Sequence, residues 1–122
     1  MSNNMFTDDK NQDSENILEK LNTMKQPNEC ETIADVRAEI DRIDKEIIKL
    51  IGERFKYVKE IVRFKSTLDE VKAKQRYYEV LVKRRKWAED AGLNADVIEK
   101  LYNDLMQHFI DEQMKLLRIK QE

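Results

Sequence analysis

Glycine and proline are nearly missing from this chain, with two glycines and one proline in 122 residues. That scarcity removes the glycine-rich phosphate loop and most tight turns, and leaves the composition of long helices. Cysteine occurs once, at Cys30, so no internal disulfide can form and a reducing cytoplasm is the simplest setting. Histidine also occurs once, at His108, which excludes multi-histidine metal sites and leaves little for a histidine-based catalytic dyad. No apolar run approaches the roughly 20 residues of a membrane span, and the N-terminus has no signal-peptide apolar core. A strong charge of either sign is missing too. The net charge is −2, without the basic excess of a dedicated nucleic-acid surface.

What is present is charge and aliphatic residues in nearly equal parts, 39% charged and 40% hydrophobic. Residues 1–31 are rich in Asn, Asp, Ser and Lys and read as a polar leader, disordered or weakly helical. From 32 to 122 the chain reads as one helical domain. Thr32 followed by Asp35 resembles a capping box and marks a helix start. Ile33, Val36, Ile40, Ile43, Ile47, Leu50, Ile51, Val58, Ile61 and Val62 then recur at three- and four-residue spacings as far as about Ser66. Such a helix, roughly 50 Å long, exceeds the width of a small domain, so a partner chain is expected to cover part of it. A short connection near 66–72 leads to a second helix over 73–91, with Tyr77, Val80, Leu81 and Trp87 as apolar contacts and Gly92 placed to end it. Asn94 can cap a third helix carrying Val97, Ile98, Leu101, Leu105, Met106, Phe109, Ile110, Met114 and Leu117. The fold class is all-α, with three main helices and no strand candidate.

Three polar residues interrupt these apolar faces. At 100° per residue, Arg54 lies about 20° from Ile47 and Ile61 and about 40° from Val58, and Lys65 shares its direction. Gln113 sits four residues after Phe109 and four before Leu117, in the middle of the third stripe. Long cationic side chains often run along apolar surface with their heads in water, and Lys65 near a helix end invites that reading. Three such residues in one small domain favour a second one. Buried charge needs a partner, the stripes offer no acidic residue, and an anionic ligand would supply it. An arginine can grip a carboxylate through two charge-assisted hydrogen bonds.

Other features carry less. Arg37 flanks the first stripe with Asp41 as an ordinary surface partner. The run Lys83–Lys86 reads as a solvated face, and Trp87 with the Tyr77–Tyr78 pair as core or interface. Nothing pairs a nucleophile with a base, or spaces ligands for a metal. A site of cations and an amide binds an anion, fixes its shape and stabilises developing negative charge. The implied reaction is a rearrangement or elimination that the substrate performs internally, with no cofactor.

The segment from Ala34 to Lys65 resembles the first helix of the all-helical chorismate mutases: Arg37 near the start, Ile40-Asp41 and Ile43-Asp44, Arg54 seventeen residues after Arg37, and Lys65 eleven after that. Arg76, the WAEDAGL segment from Trp87 and the DEQMK segment around Gln113 continue the likeness over about residues 30–118. Within the family the YVK, RFK and WAExxGL elements are similar to the isochorismate pyruvate lyases, which release salicylate and pyruvate from isochorismate and are also weak chorismate mutases. The resemblance implies the type II chorismate mutase fold, an intertwined helical homodimer with shared sites. It also implies a dicarboxylate substrate held by Arg37 and Arg54 with Arg76 assisting, and Lys65 and Gln113 donating to the ether oxygen. Tyr77 stands where family mutases usually carry a glutamate that meets the ring hydroxyl, which favours the lyase.

Arg37 and Arg54 are separated by roughly 25 Å along one helix, so they cannot easily meet one small molecule in one chain. Two long helices paired antiparallel across a twofold axis would bring them together. Three alternatives to the lyase stay open: a true chorismate mutase, a non-catalytic helical dimerisation module whose cations reach solvent, and, disfavoured by the acidic balance, nucleic-acid binding through Lys83–Lys86.

Overall fold

A computed structural model of the chain describes Glu19 and residues 24–121; most of the polar leader therefore lies outside the described residues, and so do the side chains of Leu68 and Val71. Four α-helices follow a 3₁₀ turn at Pro27–Glu29: α1 (Ile33–Glu60), α2 (Leu68–Lys72), α3 (Lys74–Asp90) and α4 (Ala95–Gln121). No strand occurs among the described residues. The chain divides into two compact units, with the boundary after Gly52 inside α1.

In the first unit, α1 starts where the capping box lies. Thr32 Oγ1 accepts from the Asp35 amide at 3.1 Å. The Asp35 carboxylate accepts from the amide of Glu31, also at 3.1 Å. One orphan amide of the first turn, that of Asp35, is thereby satisfied, together with the Glu31 amide just before the cap. Among the described residues, the apolar stripe that follows stays largely open. Ile33, Val36, Ile40, Ile43, Ile47 and Leu50 are between 39% and 67% exposed.

The second unit begins at Glu53 and buries a core. Its part of α1 ends at Glu60, six residues before the point the periodicity suggested, and the chain tightens into a 3₁₀ turn over Ile61–Phe64. The end of that turn is held from across the core. The Lys120 ammonium donates to the carbonyls of Val62 (3.1 Å), Arg63 (3.2 Å) and Lys65 (3.1 Å), and Gln121 Nε2 donates to Ser66 O at 2.7 Å. A cation on the last carbonyls of a helix is favourable for hydrogen bonding and for the helix dipole alike. The expected connection at 66–72 contains α2, capped by Thr67 Oγ1, which accepts from Glu70 N at 3.1 Å.

Ala73 joins α2 to α3 in the left-handed region, at φ 40° and ψ 61°. A side chain there costs on the order of 1 kcal/mol, and the turn it makes sets the direction of α3. At the other end of α3, Gly92 takes φ 76°. The Leu93 amide donates to Ala88 O at 2.8 Å and the Gly92 amide to Glu89 O at 3.0 Å, the Schellman pattern that leaves Gly as the easy residue at this position. Asn94 Oδ1 then caps α4 by accepting from Asp96 N and Val97 N. α4 lies against α3, α2 and the Ile61–Phe64 turn. Met106, Phe109, Gln113 and Leu117, spaced three, four and four apart, form its buried stripe, facing Val62, Val80 and Ala88. Leu117 is fully buried and packs on Val62.

Candidate functional site

A cleft of about 340 Å³ opens in the second unit, lined by α3, α4, the end of α1 and the connection that follows it. Val58, Ile61, Val80, Met106 and Phe109 supply its apolar wall. Five cations also line it: Arg54, Lys65, Lys72, Arg76 and Arg84. Glu70 is the carboxylate among the lining residues, and it already accepts from Ser66 Oγ at 2.9 Å and Thr67 Oγ1 at 3.2 Å. The hydrogen bond from Ser66 leads the effects that hold its pKa below the usual carboxylate value, so Glu70 is ionised near neutrality. The balance in the cleft is still positive, which is the complement of a dianion.

Arg54 comes from the α1 turn just after Gly52. Its guanidinium lies over Phe109 (5.6 Å to the ring centroid) and Tyr102 (6.0 Å). Its Nη1 is buried with no hydrogen-bond partner among the described residues. Burial pulls its pKa down; Tyr102 opposes this, and Arg84 and Arg76 add repulsion. A guanidinium remains charged through such a shift, so the side chain is a cation held without a counter-ion among the described residues. An unmet buried donor of this kind is costly and is relieved by an anion.

Lys65 reaches the same cleft by a route the helical spacing did not foresee. It follows the 3₁₀ turn in extended conformation, at φ −110° and ψ 142°, so no continuous 100° rotation connects it to Arg54. The Lys120 clamp on its carbonyl fixes where its side chain starts. Gln113 is buried, and its Nε2 donates to Val58 O at 2.7 Å. That bond uses one of two amide hydrogens and sets the orientation of the other. Arg76 is exposed at the rim.

Tyr77 lines the cleft with its ring, while its hydroxyl is engaged on α4. The hydroxyl donates to Asn103 Oδ1 and lies 3.3 Å from Asn103 O, and it accepts from Gln107 Nε2 at 3.2 Å. Five of the six residues singled out in the sequence thus share one cleft. Arg37 does not line it. It is exposed on α1 in the first unit and makes no ion pair among the described residues, so the surface pairing with Asp41 that its spacing allows is not formed.

Arg84 was not foreseen. Within the run Lys83–Lys86, Lys83 and Lys86 are exposed as expected, but Arg84 is half-buried in the cleft. The available signal was its register, since it stands seven residues after Tyr77 and four after Val80, on the inward face of α3. No group of three or more His, Cys, Asp and Glu among the described residues is placed to hold a metal. No helix among them is long and apolar enough to cross a membrane.

Residues 36–114 match the model for chorismate mutase type II. The chain belongs to the chorismate mutase type II family. It is 40% identical over 95 residues to the isochorismate pyruvate lyase of Pseudomonas aeruginosa, a match covering 78% of this chain and 94% of that protein. It is also 35% identical over 83 residues to the T-protein of Haemophilus influenzae, covering 67% of this chain and 21% of that longer protein. As a type II chorismate mutase family member it has the all-helical architecture described above, and Arg54, Lys65, Arg76, Tyr77 and Gln113 all fall inside the matched region.

Proposed function

We propose that this protein is an isochorismate pyruvate lyase with chorismate mutase side activity, acting as a homodimer in the cytoplasm. The observation that carries the reading is Arg54, a buried guanidinium with an unmet donor, in a cleft with Lys65 and Gln113 and an excess of positive charge. The substrate carries two carboxylates and an enolpyruvyl ether. In the elimination the ether C–O bond breaks, a ring hydrogen passes to the enolpyruvyl methylene, and the products are pyruvate and aromatic salicylate. Arg54 and Arg76 hold carboxylate. Lys65 and the free N–H of Gln113 donate to the ether oxygen as it gains negative charge, a contribution made mainly in the transition state. No side chain need move a proton, and the reaction requires no cofactor.

Three observations support the finer choices. Tyr77 cannot offer a carboxylate to a ring hydroxyl, and its own hydroxyl is engaged by Asn103 and Gln107, which favours elimination over efficient rearrangement. The exposed isoleucine stripe of α1 is the surface a second copy would cover, and that copy would contribute Arg37 to the site. Cys30, a free thiol, fits a reducing compartment.

The purified protein incubated with isochorismate and with chorismate, side by side, tests the reading. Salicylate fluorescence should rise far faster than in buffer, with prephenate forming more slowly from chorismate. Prephenate formation outpacing salicylate would make it a true mutase, and no acceleration of either would overturn the assignment.

A further inference from the structure

Arg84 has surroundings that its neighbours in the sequence do not share. Arg85, the next residue, donates to Asp96 at 2.8 Å and to Glu99 at 2.7 Å, and Lys86 pairs with Asp90 at 3.0 Å. Carboxylates are therefore within reach of this stretch of α3, and Arg85 and Lys86 take them. Arg84 takes none among the described residues. Its guanidinium lies instead over the Trp87 ring at 4.6 Å and near the Tyr102 ring at 5.6 Å, and its Nε is buried without a hydrogen-bond partner. Arg54 lies near that same Tyr102 ring, and its Nη1 is likewise buried and unmet.

Two arginines drawn to one tyrosine ring, each with an unmet buried donor and neither with a carboxylate, are mutually repulsive. Stacking on aromatic faces holds them in place and offsets part of that repulsion. An oxyanion between them would meet both unmet donors and both charges together. We infer that Arg84 contacts substrate: with Arg54 it grips one carboxylate of the anionic ligand, and Tyr102 and Trp87 set the angle between the two guanidinium groups. This rests on the reading of the cleft as a dicarboxylate site and adds a residue to it. Arg84 then governs affinity, because a carboxylate remote from the breaking bond is held equally in the ground and transition states.

Arg84→Gln and Arg84→Lys, each measured beside the wild type, test this. With isochorismate, R84Q should raise KM by about tenfold or more while kcat stays within about threefold, and R84K should fall between R84Q and the wild type. A KM within about twofold of the wild type in a folded R84Q protein would overturn the role. A second readout does not depend on turnover. Trp87 is the chain's one tryptophan and stacks on Arg84, so its emission reports occupancy of this corner. Titration with chorismate should perturb that emission, with a half-saturation about tenfold higher in R84Q. If the wild type turns over neither substrate but binds chorismate with this Arg84 dependence, the reaction assignment fails and the Arg84 role stands. Equal half-saturation in the two proteins overturns the Arg84 role alone, and a wild type that does not bind chorismate overturns both.

Discussion

Arg37 and Arg54 stand on one helix, yet the two units of the molecule treat them differently. In the first unit Arg37 is exposed, and the isoleucines that share its helix show large apolar area to solvent. In the second, Arg54 is half-buried over two aromatic rings, in a unit with its own core of Val62, Val80, Ala88, Met106, Phe109 and Leu117. The periodicity of α1 is the same on both sides of Gly52. A helical stripe states which face needs covering and says nothing of which surface covers it. In the second unit the chain supplies part of that surface from α4, where Phe109 meets the Phe55 ring and Gln113 bonds Val58. In the first, the proposed second copy would supply it.

Lys65 offers the largest effect by which to test whether the second unit's inward cations serve chemistry. Replacing it with alanine should lower turnover by about 10²–10³-fold, the range seen when one donor to a developing oxyanion is removed. The thermal unfolding curve should hardly move, because the backbone at Lys65 is secured through its carbonyl by Lys120 and not through its side chain. A folded, fully active Lys65→Ala protein would return the cleft to a dimerisation module with solvated cations.

Leu117 tests the other half of the comparison, the claim that only the second unit closes its own core. It is fully buried, with Ile110, Met114 and Leu116 packed around its contact with Val62. Leu117→Ala should cost about 2–5 kcal/mol in a urea titration. Ile33→Ala, at a site 67% exposed in the single chain, should cost far less at low protein concentration, and its cost should grow with concentration as the proposed second copy covers it. A cost equal to that of Leu117 and independent of protein concentration would mean that the first unit closes a core within one chain, and the two units would not differ at that position.

A complementation experiment separates one chain from two. Arg37→Ala and Lys65→Ala proteins should each be nearly silent. Mixed in equal amounts and allowed to re-pair, they should recover about a quarter of wild-type activity, because half of the dimers are mixed and each mixed dimer carries one intact site of two. Recovery would locate Arg37 in the partner's site. Failure to recover, with exchange verified, would leave Arg37 outside the chemistry.

Most of the fold was legible because helix ends are written in local chemistry. Thr32, Asn94 and Gly92 each act where their side chain, or the lack of one, places them. The last turns of α1 were not legible. The change to 3₁₀ at Ile61 has no local marker, and its support comes from Lys120 and Gln121, distant in sequence. Lys65 was therefore the right residue for an incomplete reason, since its position depends on that distant clamp and not on helical register. Arg84 shows the opposite failure. Its register was in the sequence, but a run of four cations reads as a solvated face until Asp96 and Glu99 are seen to take Arg85 and to leave Arg84 to the rings. Tyr77 was legible as a departure from the mutase pattern, while the engagement of its hydroxyl by Asn103 and Gln107 needed α4 in place.

The smallest effect lies at the two ends of α1, where one terminus is held by a local cap and the other by that distant clamp. At the start, the Asp35 carboxyl titrates below its ordinary value of 3.8, chiefly because the Glu31 amide donates to it; desolvation opposes this, and Lys25 and Thr32 add to the lowering. A carboxylate with a depressed folded pKa contributes stability above its unfolded pKa and loses it as the pH falls through the folded value. Asp35→Asn keeps an acceptor oxygen and removes the charge. It should lower Tm at pH 7 by about 1–3 °C, as expected for one exposed charge at a helix start. The gap to the wild type should narrow as the pH is taken below 3.8, where the carboxylate of the wild type protonates too. A gap that stayed constant down to pH values well below that would assign the effect to hydrogen-bond geometry rather than to charge.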